Sequence, residues 1–153
     1  MSARVGIGYD AHRFADGRRL VLGGVEIPAE RGLEGHSDAD VITHAIIDAL
    51  LGAAGLGDLG GHFPPSDERW RDAASLDLLR TVIGELHGRV MNVDATVICE
   101  APRLADHRAE MERLLSETLG APASVKATTN EGMGAIGQGE GIACFAVALV
   151  DVD

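Results

Sequence analysis

Two spacings of apolar residues alternate along this chain, and each change of spacing marks the border of an element. RVGIGYDAHRF opens with Val5 and Ile7 alternating with glycine, which predicts a strand. RRLVLGGVEIP predicts two short strands turning at Gly23-Gly24. From Gly35 to Ala54 the apolar positions crowd together at helical spacing and predict the first helix. AASLDLLRTVIGELHG sets Leu76, Leu79, Val82, Ile83 and Leu86 on one face and predicts a second helix. LADHRAEMERLLSETLG predicts a third, stopped by Gly120. VMNVDATVICEA and SVKATT are rich in β-branched residues and predict two more strands. GIACFAVALVDVD, apolar at nearly every position, predicts the last. Between the first two helices, GLGDLGGHFPPSDERWRD is dense in Gly, Pro, Ser and Asp and reads as a long loop, of a length that points to function.

Strands and helices mixed in this order predict an α+β fold, a mixed β-sheet with its helices packed on one face. No internal repeat, low-complexity segment or linker divides residues 1–153, so a single domain is expected. The final strand carries a further implication, because a run apolar on both faces needs cover on both faces. Helices supply one cover, and a subunit interface is the economical other.

Composition narrows the function. A hydrophobic content of 46% over 153 residues is enough for a core without disulfides. The net charge of −11, from 24 acidic and 13 basic residues, argues against nucleic acid or an anionic membrane as partner. Lys126 is the sole lysine, so an anionic ligand would have to be neutralised by arginines or by bound metal. Cys99 and Cys144 lie in strand-like apolar runs without zinc-knuckle spacing and read as buried free thiols in a reducing cytoplasm. MSARVGIGYD lacks a signal-peptide core, and no apolar run nears the ~20 residues that span a bilayer, so a cytoplasmic protein is expected.

The chemistry starts in GHSDADVITHAIIDALLG. Projected at about 100° per residue, Asp40, His44 and Asp48 fall within roughly 80° of one another, while apolar side chains fill most of the remaining circumference. Ser37 as N-cap with Asp40 as its capping-box partner is the structural reading of the helix start. His44 asks for more, because Asp10 and His12, two apart on a strand, point to one side. Asp10, His12 and His44 would form a three-ligand set leaving a tetrahedral position open, the requirement of a catalytic Zn²⁺. His36 and Ser37 bring an imidazole, a hydroxyl and free backbone N–H groups, the ingredients of an anion site. In VKATTNEGMGAIGQGEG, hydroxyls and open glycine amides suit phosphate, and Glu131 suits an oxygen-loving Mg²⁺; the same residues also fit a flexible loop with a solvated glutamate. It is not a P-loop, since the G-K-[ST] sequence is missing. Ala101-Pro102-Arg103 carries no function by itself.

Together GYDAHRF, LGGVEIP, GLEGHSDADVITHAIIDALLGAAGLGDLGGHFP, NVDATVICEAP, VKATTNEGMG and GQGEGIACFAVAL resemble the 2-C-methyl-D-erythritol 2,4-cyclodiphosphate synthases of the non-mevalonate isoprenoid pathway, over essentially the whole chain. The resemblance implies a homotrimer of α+β subunits with interfacial active sites. It implies a phosphorus-oxygen lyase that converts 4-diphosphocytidyl-2-C-methyl-D-erythritol 2-phosphate into the cyclic diphosphate and CMP. Asp10, His12 and His44 match the Zn²⁺ ligands, one ion per site, and Glu131 matches the holder of Mg²⁺ or Mn²⁺ across the diphosphate. His36 and Thr129 match the catalytic residues that stabilise the pentavalent transition state, and Ser37 matches a phosphate contact. Asp58 matches the carboxylate on the methylerythritol hydroxyls, with Leu59, Gly60, Phe63 and Asp67 beside it. Pro102, Arg103 and Leu104, within Cys99 to Ala105, match the cytidine pocket, and Thr128, Thr129 and Asn130 border the phosphates. Three positions depart from the family pattern: Pro65 replaces an aspartate, Arg103 a lysine, and Gln138 an arginine that in some members faces a cavity on the trimer axis.

Overall fold

The computed structural model describes residues 2–153. Its strands are β1 (Ser2–Ala15), β2 (Leu20–Leu22), β3 (Val25–Ile27), β4 (Gly32–Leu33), β5 (Gly88–Ile98), β6 (Ala123–Thr128) and β7 (Gly141–Val152). Its helices are α1 (Val41–Ala54), α2 (Leu59–His62), α3 (Ser75–Glu85), α4 (Arg108–Leu119) and α5 (Gly134–Gly137). One sheet has the order β4-β1-β7-β5-β6, and β2-β3 form a separate hairpin. β7 lies antiparallel between β1 and β5, while β5 and β6 run parallel, so the sheet is mixed. Helix α1 lies across β1 and β7, α4 packs on β6, and α3 joins α1 to α4. Among the described residues, no helix is long and apolar enough to cross a membrane.

The close fit of α1 on the sheet depends on glycine. Gly6 and Gly8 of β1 face the helix, and a Cβ added at either would stand 1.9 Å from a helix carbonyl oxygen, that of Ala49 or Ala45. Neither backbone can yield locally, so helix and strand would have to separate. Gly8→Ala should therefore destabilise the fold by about 3 kcal/mol or more, at or beyond the upper end of overpacking costs. Urea denaturation would measure it, and a change under about 1 kcal/mol would show that α1 is free to shift.

Because the glycines point inward, Val5 and Ile7 point outward, and both are exposed. Across the strand pair Tyr9 sits opposite Phe145 and Ile7 opposite Val147, making an open apolar face. On the other side of β7, Cys144, Ala146, Ala148 and Val150 are buried under α1. The two-sided apolar pattern of the last strand thus divides into a helix-covered face and a bare one.

Three local features differ from the sequence expectations. The first helix begins at Val41 rather than Gly35, and its N-cap is Asp40 rather than Ser37. Ala39 adopts a left-handed φ of 57°, which a continuous helix excludes, and the Asp40 carboxylate accepts from Thr43 N at 3.0 Å. The loop after α1 contains the single turn α2 and a 3₁₀ turn at Glu68–Trp70. The glycine-rich segment before β7 likewise contains the single turn α5. LGGH and GAIG are too short and too glycine-rich to show helical periodicity.

Candidate metal centre and active site

β1 places Asp10 and His12 two residues apart on one face, and α1 brings His44 to meet them. His12 Nε2 lies 2.8 Å from Asp10 Oδ2, His44 Nδ1 lies 3.1 Å from the same oxygen, and the two ring nitrogens are 3.4 Å apart. Ligand atoms bound about 2.0–2.1 Å from a tetrahedral ion stand roughly 3.3 Å from each other, so the triad has the dimensions of one face of such a cage. Each contributes one ligand atom to a group that could hold a metal ion.

The electrostatics agree with the geometry. Burial acts to raise the Asp10 carboxyl, but hydrogen bonds from His12 and His44 outweigh it and hold the group at about 2. Burial acts to lower His12, and its bond to Asp10 outweighs that and raises it. The site is built to keep an anionic oxygen among positively polarised partners, which a cation would replace.

The polar stripe of α1 serves three different ends. Asp40 faces the β2-β3 turn and accepts from Gly23 N and Gly24 N. His44 joins the triad. Asp48 accepts from Leu59 N at 2.8 Å and so fixes the start of α2, making no hydrogen bond to His44. Burial, together with the nearby Asp58 and Asp10, pushes the Asp48 carboxyl up. At that end Asp58 caps α2 through Gly61 N, and Asp10, His44, Asp48, Asp58, Leu59 and Gly60 line one open pocket of about 280 Å³.

The other expected residues fall into two groups. Ser37 is buried, with its hydroxyl 3.1 Å from His44 Nε2. His36 Nε2 is 3.0 Å from the Asp67 carbonyl, and the Asp67 carboxylate is held by Arg69, which also lowers its pKa. Phe63 is buried edge-on to Trp70, so its side chain belongs to the core. The second group gathers where the parallel strands β5 and β6 end together at Ile98 and Thr128. Cys99 N donates to the Thr128 carbonyl and Asn130 N to the Glu100 carboxylate, which ties the Cys99–Leu104 segment to the Thr128–Glu131 corner. Glu131 there is exposed, with a left-handed φ of 54°, and Thr129 Oγ1 accepts from its N–H. Gln138 donates to Gly132 O and braces the same loop. Arg103 is exposed, Pro102 is half-buried, and Leu104 is buried. Glu100, Ala101 and Pro102 line a separate opening of about 380 Å³ with Phe14 and Arg31.

Ser75 was not legible in the sequence. Its hydroxyl stands 2.8 Å from His44 Nε2, yet it enters from the first turn of α3, far along the chain.

A mixed-sheet α+β protein in which two imidazoles and a carboxylate meet beside a pocket lined by further carboxylates falls in the class of small proteins with a site that could hold a metal ion. More particularly, the chain belongs to the YgbB family, whose profile matches residues 3–151. It is 56% identical over 154 residues to 2-C-methyl-D-erythritol 2,4-cyclodiphosphate synthase of Gloeobacter violaceus, an alignment covering 97% of this chain and 94% of that one. Among solved structures it is similar to the bifunctional IspDF from Campylobacter jejuni, with a TM-score of 0.94 and 36% identity. That alignment covers 99% of this chain but only 43% of the bifunctional one. It is also similar to a CDP complex of Plasmodium falciparum IspF, with a TM-score of 0.84, 33% identity and coverage of 99% and 97%. The resemblance to this enzyme family expected from the sequence therefore holds.

Proposed function

We propose that the protein converts 4-diphosphocytidyl-2-C-methyl-D-erythritol 2-phosphate to 2-C-methyl-D-erythritol 2,4-cyclodiphosphate with release of CMP, as a phosphorus-oxygen lyase. The observation that carries this reading is the Asp10–His12–His44 triad, two of whose members, Asp10 and His44, line the same pocket as Asp58. The names of its relatives, and the CDP in the Plasmodium falciparum complex, support the substrate class.

In this reaction the substrate's own 2-phosphate oxygen forms a bond to the β-phosphorus, and the bond from that phosphorus to the CMP oxygen breaks. The protein needs no nucleophile of its own, and catalysis consists of positioning and charge neutralisation. Zn²⁺ at Asp10, His12 and His44, and Mg²⁺ or Mn²⁺ at Glu131, would supply the neutralisation that a chain with a single lysine lacks. Asp58 receives the methylerythritol hydroxyls, with Leu59 and Gly60 beside it. His36 and Thr129 face the transferring phosphorus, and Ser37 the phosphate. The Cys99–Leu104 segment takes the cytidine, and Thr128 to Glu131 border its phosphates.

Within one chain the Asp58 pocket and the Pro102 opening are separate. A homotrimer would join the first group of one subunit to the second group of its neighbour. The bare apolar face of Val5, Ile7, Tyr9, Phe145 and Val147 supports that assembly.

The test is direct. Purified protein incubated with the CDP-linked substrate and Mg²⁺ should release CMP and the cyclic product in equal amounts, and a chelator should stop both. Free phosphate or a linear diphosphate as product would replace this reading with that of a zinc phosphohydrolase. Binding of CMP without turnover would reduce the protein to a binding module.

A further inference from the structure

An imidazole that gives one nitrogen to a cation keeps its hydrogen on the other. His44 Nδ1 faces Asp10 and His12, so its Nε2 is the nitrogen that must carry hydrogen in the metal-bound state. Two hydroxyls stand at Nε2, Ser75 Oγ at 2.8 Å and Ser37 Oγ at 3.1 Å.

They are not equivalent. Ser75 is fully buried, and its hydroxyl hydrogen is committed to Asp38 Oδ1. A hydroxyl has a single hydrogen, so what Ser75 Oγ turns toward His44 is a lone pair, and it can only accept there. Asp38 is itself held in place: Oδ2 accepts from Ser75 N at 2.9 Å and Oδ1 from Asp40 N at 3.1 Å. The Ser37 hydroxyl accepts from Ala39 N at a longer 3.3 Å and has no carboxylate to fix its direction.

We propose that Ser75 and Asp38 are positioning residues for the metal centre. The chain His44 Nε2–H to Ser75 Oγ–H to Asp38 carboxylate holds His44 in the tautomer that leaves Nδ1 free for metal. It also fixes the orientation of the ring, as a carboxylate bonded directly to a metal-ligating histidine does, here with a hydroxyl interposed. The proposal rests on the metal centre put forward above.

A simple helix cap is the competing account of the same contacts, and Ser75→Ala separates the two. That variant keeps the backbone N–H that Asp38 caps and removes only the hydroxyl. Zn²⁺ affinity, measured by competition with a chromophoric chelator on the intact protein, should fall roughly 10- to 100-fold in Ser75→Ala. Asp38→Asn should weaken it in the same direction. Both should still bind one ion at saturation and, with Co²⁺ in place of Zn²⁺, keep a tetrahedral visible band. His44→Ala serves as the reference that binds none. If His44→Ala loses the ion while Ser75→Ala and Asp38→Asn match the wild type, the relay is refuted and the metal centre stands. If the wild type itself binds neither Zn²⁺ nor Co²⁺, both readings fall. Should one variant not fold, the affinity of the other decides, and weakened binding seen only alongside a collapsed metal-free fold in both would favour the cap.

Discussion

His44→Ala is expected to purify without its metal and to turn over roughly a thousandfold more slowly, the scale lost when a preorganised charge-stabilising group is removed. Of the three proposed ligands His44 is the most buried and the one that α1 contributes. Without it, Asp10 and His12 remain as neighbours on one strand, and two ligands from one strand cannot enclose an ion. The fold should survive, because alanine suits a helix interior and the Asp40 cap is untouched. The cost there is the loss of a partner for the Ser75 and Ser37 hydroxyls, about 1–3 kcal/mol. Metal content after dialysis, cyclic product by phosphorus NMR and assembly by sedimentation would be read on one preparation. Wild-type metal content in the variant would overturn the ligand assignment.

The triad was legible because each of its members obeys a local rule. Residues two apart on a strand share a face, and a histidine inside an otherwise apolar helix needs a partner. The neighbouring roles were not legible where the deciding contact is distant in sequence. Ser37, in a polar run before a helix, looks like an N-cap, but the Gly23-Gly24 turn seizes Asp40 and sets the start later. Asp48 shares the stripe of His44, yet Leu59 N claims it. Ser75 reads as an ordinary helix-start serine, and only the pairing of Asp72 and Ala73, just before α3, with His36 and Asp38 puts its hydroxyl on His44. Alternation in RVGIGYD identified the strand, but not that its glycines face the core. That depends on how closely α1 approaches, a tertiary fact with no periodic signature. The α+β class and the helix-covered sheet followed from the order of elements, to which short turns and the two-residue β4 added little.

Asp40→Ala is expected to be the most destabilising single substitution in the stripe, by about 3–5 kcal/mol out of the roughly 5–15 kcal/mol that keeps a domain folded. Its carboxylate is wholly buried and accepts from Gly23 N at 2.9 Å, Gly24 N at 2.8 Å, Thr43 N at 3.0 Å and Thr43 Oγ1 at 2.7 Å. Burial and the nearby Asp38 push this carboxyl up, and the hydrogen bonds from Thr43 and Gly24 pull against them. Alanine would leave three backbone N–H groups without this acceptor, two in the hairpin turn and one in the first turn of α1, each at about 1–3 kcal/mol if no water reaches it. Asparagine keeps one acceptor oxygen but turns an amide donor toward the remaining donors, so Asp40→Asn should fall between alanine and the wild type. Urea midpoints would rank the three. The substitution also tests how the stripe is divided, since Asp40 is bound to the hairpin and His44, one turn on, to the Asp10–His12 pair. Asp40→Ala that remains folded in buffer should keep its metal, with its midpoint alone lowered. Loss of metal at an unchanged midpoint would mean that Asp40 supports the site rather than the fold.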